Sequence, residues 1–388
     1  MSRSQRILVE LPPEGLLLRE ITATAVSALS YFGEMDVEIR GDLVELRCRD
    51  ASYSLLRASE GLKDLLNLKL SKGVRWPPLH KNDKDTLKKS RAVAGKVDAL
   101  QSYADLVSEF VGLLFQLLDG DLRVSSRRGK LILGDGRVAL PQLLKVELYE
   151  GSLTFSEPYV GELEVRLDDR WLSLLAAGLA VAYVDYIKLV TIPEPLTDRR
   201  VFASLASVKI AELLEGAKVG LTVPHILYIH ILASALAERS FRTSRAVGLT
   251  ESLVRLFEDY EIPGSFTRLR IHSLDFDGKT YREISREDIV FNASILEFLR
   301  RVGDRVCLDQ LKSFIRMTSR AGIDATASKV LNAITYLYEA VQGAKEASFA
   351  AYYLARVTAE ISERARAPFT HTCAERIIEA LVLANATT

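Results

Sequence analysis

Fourteen residues without a charge, WLSLLAAGLAVAYV, run from Trp171 to Val184 between Asp168-Asp169-Arg170 and Asp185. As a helix they span roughly 21 Å at 1.5 Å per residue, short of the ~30 Å hydrocarbon core of a bilayer. A segment that is apolar all round is therefore expected inside a large protein core. Burying it needs several neighbouring elements, and a chain of 388 residues, 48% of them hydrophobic, can supply them. That length predicts two or three domains, and that composition excludes a mainly disordered chain. The opening MSRSQRILVELPPEG has no long apolar stretch and no small-residue cleavage pattern, so no signal peptide is expected.

Three cysteines, Cys48, Cys307 and Cys373, lie far apart and form no CxxC pair. This argues against a disulfide framework and against a thiolate zinc site, and it fits a cytoplasmic protein in a reducing compartment. Only five Asn and six Gln occur, which suits a thermophile.

Charge is sorted along the chain. Overall 51 basic residues balance 51 acidic ones, yet Lys69–Lys96 holds nine basic and two acidic residues, a local balance of +7. Trp76-Pro77-Pro78 interrupts regular structure inside this run. It reads as an exposed, mobile basic linker, of the kind that attracts a phosphate backbone. Its candidate contacts are Lys81, Lys84, Lys88, Lys89 and Arg91.

The periodicities predict an α+β protein: a small α/β N-terminal unit, a β-rich middle segment, and a largely helical second half ending in a four-helix bundle. A strand at 7–11, a helix at 16–31, a hairpin at 37–49 turning on Gly41-Asp42 and a helix at 51–68 form the first unit, residues 1–75. The basic linker follows at 76–91. Residues 92–170 comprise one helix, 92–118, and a β-rich stretch, 119–165. Residues 171–303 form a mainly helical domain with a helix at 224–238 and a β insertion at 266–284. The bundle occupies 304–388. Asp304 and Asp324 cap its first two helices, a third spans 344–366, and Thr372 with Glu375 offers a capping box for the fourth.

Two further basic clusters are candidates for anion binding. Arg127, Arg128 and Lys130 sit at a hairpin tip. Arg199 and Arg200 fall in the first turn of a helix capped by Thr197 or Asp198, where cations oppose the helix dipole unless an anion is present. Arg239, Arg242 and Arg245 surround Phe241, which could stack on a base. The same positions also read as solvated surface. His225 and His230 lie about 140° apart around one helix axis at 100° per residue, so they cannot share a metal. His371 and Cys373 bring no further ligands. Asp275–Gly278 lacks the oxygen ligands of a calcium loop and reads as a hairpin turn. No phosphate-binding, dinucleotide-binding or hydrolase motif occurs, which disfavours a familiar enzyme; no metal and no cofactor is expected.

The segments TIPEPLTDRRVFASLASVKIAELLE, LTVPHILYIHIL and FNASILEFLRRVGDRVCLDQL, with the overall layout, resemble the large subunit of archaeal type I-A CRISPR surveillance (Cascade) complexes, the Cas-eight-a family in its Csa-four form. The resemblance implies a non-enzymatic subunit for antiviral defence. Such a subunit contacts guide RNA and the target DNA duplex, reads a short flanking motif, and docks neighbouring subunits and a nuclease-helicase. It carries no short motif that transfers a residue role. Two other readings of the residues stand beside it: a helical scaffold of another assembly, and a nucleic-acid enzyme with an unfamiliar site.

Overall fold

A computed structural model describes residues 5–71, 73–117, 120–127, 130–145, 164–184, 188–195, 226–231, 268–276, 281–290, 293–318, 324–362 and 369–385. The chain divides into two compact units, Met1–Ala206 with Arg268–Asp288, and Ser207–Thr267 with Ile289–Thr388. The fold is α+β.

The first unit opens with β1 (Gln5–Glu10), α1 (Leu17–Gly33), β2 (Asp36–Arg40), β3 (Leu43–Cys48) and α2 (Ala51–Ser71), the order read from the sequence. β3 is the centre of an antiparallel sheet, β1-β3-β2. Its hairpin turns on Gly41 at φ 62°, a left-handed conformation that costs glycine nothing. Then come α3 (Lys81–Leu87), α4 (Tyr103–Gly112), α5 (Leu114–Leu117), β4 (Val124–Arg127), β5 (Lys130–Leu133), β6 (Val138–Ala139), β7 (Glu164–Leu167) and α6 (Asp169–Ala182). β8 (Lys188–Thr191), β9 (Arg268–Phe276) and β10 (Tyr281–Val290) follow. The middle strands pair in the order β4-β5-β7-β6, with β5 and β7 parallel, and the last three in the order β10-β9-β8.

Every residue of α6 from Trp171 to Ala182 is buried, as its uncharged sequence requires. It packs along α1, α2 and α4. A Cβ at Gly178 would strike the carbonyl oxygen of Ile21, so α1 and α6 cross backbone against backbone. Two of the hydroxyls that α1 buries are satisfied within the helix, Thr22 and Thr24 donating to the carbonyls of Leu18 and Glu20 at 2.6 and 2.8 Å, and Ser30 donates past its end to Met35 O at 2.6 Å. Among the described residues, no helix is long and apolar enough to cross a membrane.

The basic segment is not a loose linker. Lys69 is 2% exposed. Its ammonium donates to the carbonyls of Ala180, Val181 and Tyr183 at 2.7, 2.6 and 2.7 Å, closing the C-terminus of α6 where the helix dipole favours a cation. Burial pulls its pKa down to about 7. Trp76 stacks on Tyr183 with centroids 3.9 Å apart. The two prolines lie against 101–103: Leu79 N–H donates to Gln101 O at 2.9 Å and Tyr103 N–H to Pro77 O at 3.0 Å. The helix expected over 92–118 is interrupted. Residues 97–99 form one 3₁₀ turn, Leu100 is extended, and α4 starts afresh from a capping box of Ser102 and Asp105. Leu79, Leu87, Val93 and Val97 are all buried. Spaced at turns, they show no single period in the sequence, yet together they anchor the segment. Lys69→Met should cost about 2 kcal/mol, because three helix-end carbonyls lose their donor. The measurement is the urea midpoint, and an unchanged midpoint would show that water replaces the ammonium.

The second unit holds α7 (Ala293–Val302), α8 (Arg305–Met317), α9 (Ala325–Val341), α10 (Ala347–Ser362) and α11 (His371–Asn385). The last four are the helices expected after residue 304. α7 adds a fifth, packing against α8, α9 and α11, with Ile295, Phe298 and Leu299 buried. An expected boundary at 303/304 would therefore part α7 from the helices that cover it. Asp304 and Asp324 cap as predicted, accepting from Val306 N–H at 2.9 Å and Thr326 N–H at 2.8 Å. At α11 the capping residue is Thr370, not Thr372: its hydroxyl accepts from Cys373 N–H at 3.3 Å. Residues 226–231 are helical, and His230 is a core histidine whose Nδ1 lies 2.7 Å from Ile226 O.

The cysteine reading is corrected here. Cys307 and Cys373 form a disulfide joining α8 to α11, with Cα atoms 5.2 Å apart, while Cys48 is free and buried. A separation of 66 residues hides the pair from any local motif. Disulfides also occur inside hyperthermophile cells, so this one does not by itself assign a compartment.

Candidate nucleic-acid interface

Successive residues of α3 lie 100° apart, so Lys81, Lys84 and Lys88 share one face and Asp83 and Leu87 turn inward. Asp83 is the anchor. The Tyr103 hydroxyl donates to one of its oxygens, and Gln142 N–H donates to the other at 3.1 Å. Leu143 N–H donates to the Tyr103 oxygen at 3.3 Å. Burial raises the pKa of Asp83 against these hydrogen bonds, and burial followed by the neighbouring Asp83 raises that of Tyr103. One of the two acids counted in the basic run is thus spent on the interior, which offsets the buried Lys69 in the charge balance of the run.

After α3 the chain turns through Ser90, whose hydroxyl accepts from the N–H groups of Ala92 and Val93, both at 3.2 Å. It then docks on the first turn of α6: Asp169 Oδ2 accepts from Arg91 N–H at 2.9 Å and Ala92 N–H at 3.2 Å. Asp168 caps α6, accepting from Trp171 N–H at 2.9 Å. Its second oxygen accepts from Asp135 N–H at 3.3 Å. Gly134 makes that approach possible, with φ 70° and no Cβ to strike the Asp168 carboxylate.

These pieces enclose a cleft of about 320 Å³. Its cations are Lys89, Arg91, Arg137 and Arg170, and its acids are Asp135, Asp168 and Asp169. Arg137 pairs with Asp135 at 2.7 Å and Arg170 with Asp168 at 3.4 Å. Asp169 has one oxygen committed to backbone donors, and its other, Oδ1, is buried with no hydrogen-bond partner. Lys89 and Arg91, both exposed, form no ion pair with any described residue.

The sequence-based candidates therefore separate. Lys81, Lys84, Lys89 and Arg91 stand on one ordered shelf without ion pairs among the described residues. Lys88 is drawn to Asp85 at 3.3 Å and Asp98 at 3.8 Å. Lys130 pairs with Glu164 at 2.5 Å, so the hairpin retains less free charge than its sequence implied. Arg127 closes β4, and its side chain lies outside the described residues, as do Arg128, Arg199, Arg200, Arg239, Arg242 and Arg245. The sequence reading missed Arg137 and Arg170. Each sits beside an aspartate in a turn or helix start, where a local reading assigns it to solvent.

A second cluster of titratable groups joins α1 to the β8–β10 sheet. Thr191 Oγ1 lies 3.0 Å from His272 Nε2, and His272 Nδ1 lies 2.5 Å from Glu283 Oε1. In outline this is a nucleophile, a base and an orienting acid. Three observations make it structural. Thr191 and His272 are completely buried. Glu20 Oε2 already accepts from the Thr191 hydroxyl at 2.7 Å and sits 2.8 Å from His272 Nε2. A carboxylate at each nitrogen favours the imidazolium, which cannot take a proton from threonine. Burial lowers the His272 pKa, but Glu20 and Glu283 outweigh it and the net shift is upward. Burial likewise raises Glu20, and His272, Thr191 and Arg270 overcome it to hold the carboxyl at about 2. Arg270 completes the cluster, bridging Glu20 and Asp288.

Among the described residues, no group of three or more His, Cys, Asp or Glu side chains is placed to hold a metal ion. No family model and no curated protein sequence matches this chain.

Proposed function

We propose that this chain is a non-enzymatic nucleic-acid-binding subunit of an antiviral CRISPR ribonucleoprotein, in which the 81–91 shelf and its cleft hold backbone phosphates of guide RNA or target duplex. The observation that carries the binding role is the shelf itself. Four cations, Lys81, Lys84, Lys89 and Arg91, stand on a rigid support without ion pairs among the described residues, while Lys88 and Lys130 pair with carboxylates. An already ordered backbone under these cations removes the cost of ordering the segment when it meets a phosphate, although the side chains still lose rotamer freedom. Such contacts fix register and carry no base information. In guide-directed systems base pairing reads most of the sequence, and the protein supplies shape and a short motif. The assembly assignment rests on the resemblance of the three quoted segments.

Replacing Lys81, Lys84, Lys89 and Arg91 together by alanine should weaken duplex binding about equally for all sequences. The slope of log K against log salt should fall by about 0.9 for each lost contact. Lys130→Ala should leave the slope unchanged. An unaltered slope in the fourfold variant, measured by fluorescence anisotropy, would remove the shelf from the interface.

A further inference from the structure

At the tip where α9 meets α10, the chain builds a box of aromatic rings that holds a cation of its own. The turn is a Schellman motif: Gly343 takes φ 74°, its N–H donates to Ala340 O at 3.0 Å, and Ala344 N–H donates to Glu339 O at 2.8 Å. This closure delivers Lys345 onto the ring of Tyr336, with Nζ 3.6 Å from the centroid and 5.0 Å from that of Phe349. Phe349 and Tyr353, one turn apart on α10, have planes only 20° from parallel and centroids 6.4 Å apart. Tyr336 stands across both, at 68° and 82°, with centroids 5.2 and 5.0 Å away. Tyr336 and Phe349 thus present their rings to one ammonium, and Tyr353 packs against both.

Exposure shows that the box is not part of the core. Phe349 is 44% exposed and the adjoining Tyr352 64%. An exposed aromatic patch rimmed by polar residues marks a binding surface. Its charge favours a cation. Glu339 lies 3.4 Å from the Lys345 ammonium, and Glu346 follows it in the turn. Arg356, the nearest further cation on α10, lies a turn beyond Tyr353, away from the tip. The Glu339 carboxylate beside the ammonium that the rings hold repels a phosphate chain and attracts a guanidinium. Lysine holds its place weakly: an exposed cation–π contact is worth about 0.5–1 kcal/mol, and fixing a lysine side chain costs about 2 kcal/mol of rotamer entropy. Arginine is planar, less strongly hydrated and stacks on rings, so it displaces lysine from such a site.

We propose that the α9–α10 tip is a docking site for an arginine side chain of a partner protein, with Lys345 as a built-in occupant that the partner displaces. This inference is independent of the nucleic-acid reading, since it rests on a different surface and a ligand of opposite charge.

The test uses the full chain and four probes: an acetylated Gly-Arg-Gly-Arg-Gly peptide, its lysine and glutamate counterparts, and a short oligothymidine. Binding is followed by calorimetry, and folding of each variant by thermal melting. The arginine peptide should bind better than the lysine peptide, and the glutamate peptide should not bind. Lys345→Ala should tighten the arginine peptide two- to five-fold, the equilibrium equivalent of one exposed cation–π contact. Phe349→Ala should abolish binding, and Tyr352→Ala should preserve it, both with unchanged melting. No arginine-peptide binding by either the native chain or Lys345→Ala would overturn the site. Equal affinity of those two proteins would overturn the displacement role. Oligothymidine binding lost in Phe349→Ala would reassign the rings to base stacking.

Discussion

Glu20→Gln should destabilise the first unit by about 3–5 kcal/mol at pH 6, the cost of leaving buried cations without their partner. The residue is 4% exposed and sits between His272 and Arg270, with the Thr191 hydroxyl on the same oxygen as His272. Neutralising it leaves an imidazolium and a guanidinium facing each other across an amide. The same cluster sets a pH window. Glu20 is held at about 2, below its ordinary 4.5, so its contribution is complete above pH 4.5 and is lost as pH falls toward 2. His272 is shifted upward from 6.5, so its contribution is complete below pH 6.5 and is lost as pH rises through the folded value. The cluster's own contribution, read as the difference in denaturant midpoint between the native chain and Glu20→Gln, should therefore peak between about pH 4.5 and 6.5 and fall on both sides. His272→Gln should flatten the alkaline limb and leave an acid limb. A native profile without an alkaline limb would mean that the ring is neutral, and Thr191 would regain a possible base.

Cys307→Ser should destabilise the helical unit by about 4 kcal/mol, the loop-closure value for a 66-residue separation. Both sulfurs lie in the core, with Cys307 2% and Cys373 3% exposed. Beside them Phe314 stacks on Phe369 at 4.6 Å, packing that persists when the bond is cut. The helices should thus remain folded at moderate temperature but melt earlier. A reducing agent should lower the melting temperature of the native chain and leave that of Cys307→Ser unchanged. Alkylation in denaturant without reductant should label one cysteine, Cys48. Labelling of all three would show that the bond does not form.

The basic run shows where a local reading fails. Its composition pointed to an exposed linker because charge is visible residue by residue. Its anchors are visible only one at a time: Lys69 on a helix end, Trp76 on Tyr183, Asp83 under Tyr103, Leu87 and Val93 in the core. Each partner lies at least 20 residues away for Asp83 and more than 100 for Lys69 and Trp76. Nothing in Lys69 itself separates it from Lys81, because the difference is the set of carbonyls at the end of α6. The cleft is likewise a meeting of 89–92, 135–138 and 168–170, three stretches that the sequence rendered as linker, turn and helix start.

What the sequence determined by itself is what short-range physics encodes. The uncharged run 171–184 had to be buried, Gly41-Asp42 had to turn a hairpin, and Asp304 and Asp324 had to start helices. Each depends on periodicity or on a hydrogen bond reaching two or three residues. The tertiary structure alone decided which charges remain free. It sank Lys69 and Asp83, paired Lys130 and Lys88 with carboxylates, joined Cys307 to Cys373, and left Lys81, Lys84, Lys89 and Arg91 without ion pairs among the described residues. Coulomb energy and cross-linking depend on distance in space, and a sequence records only distance along the chain.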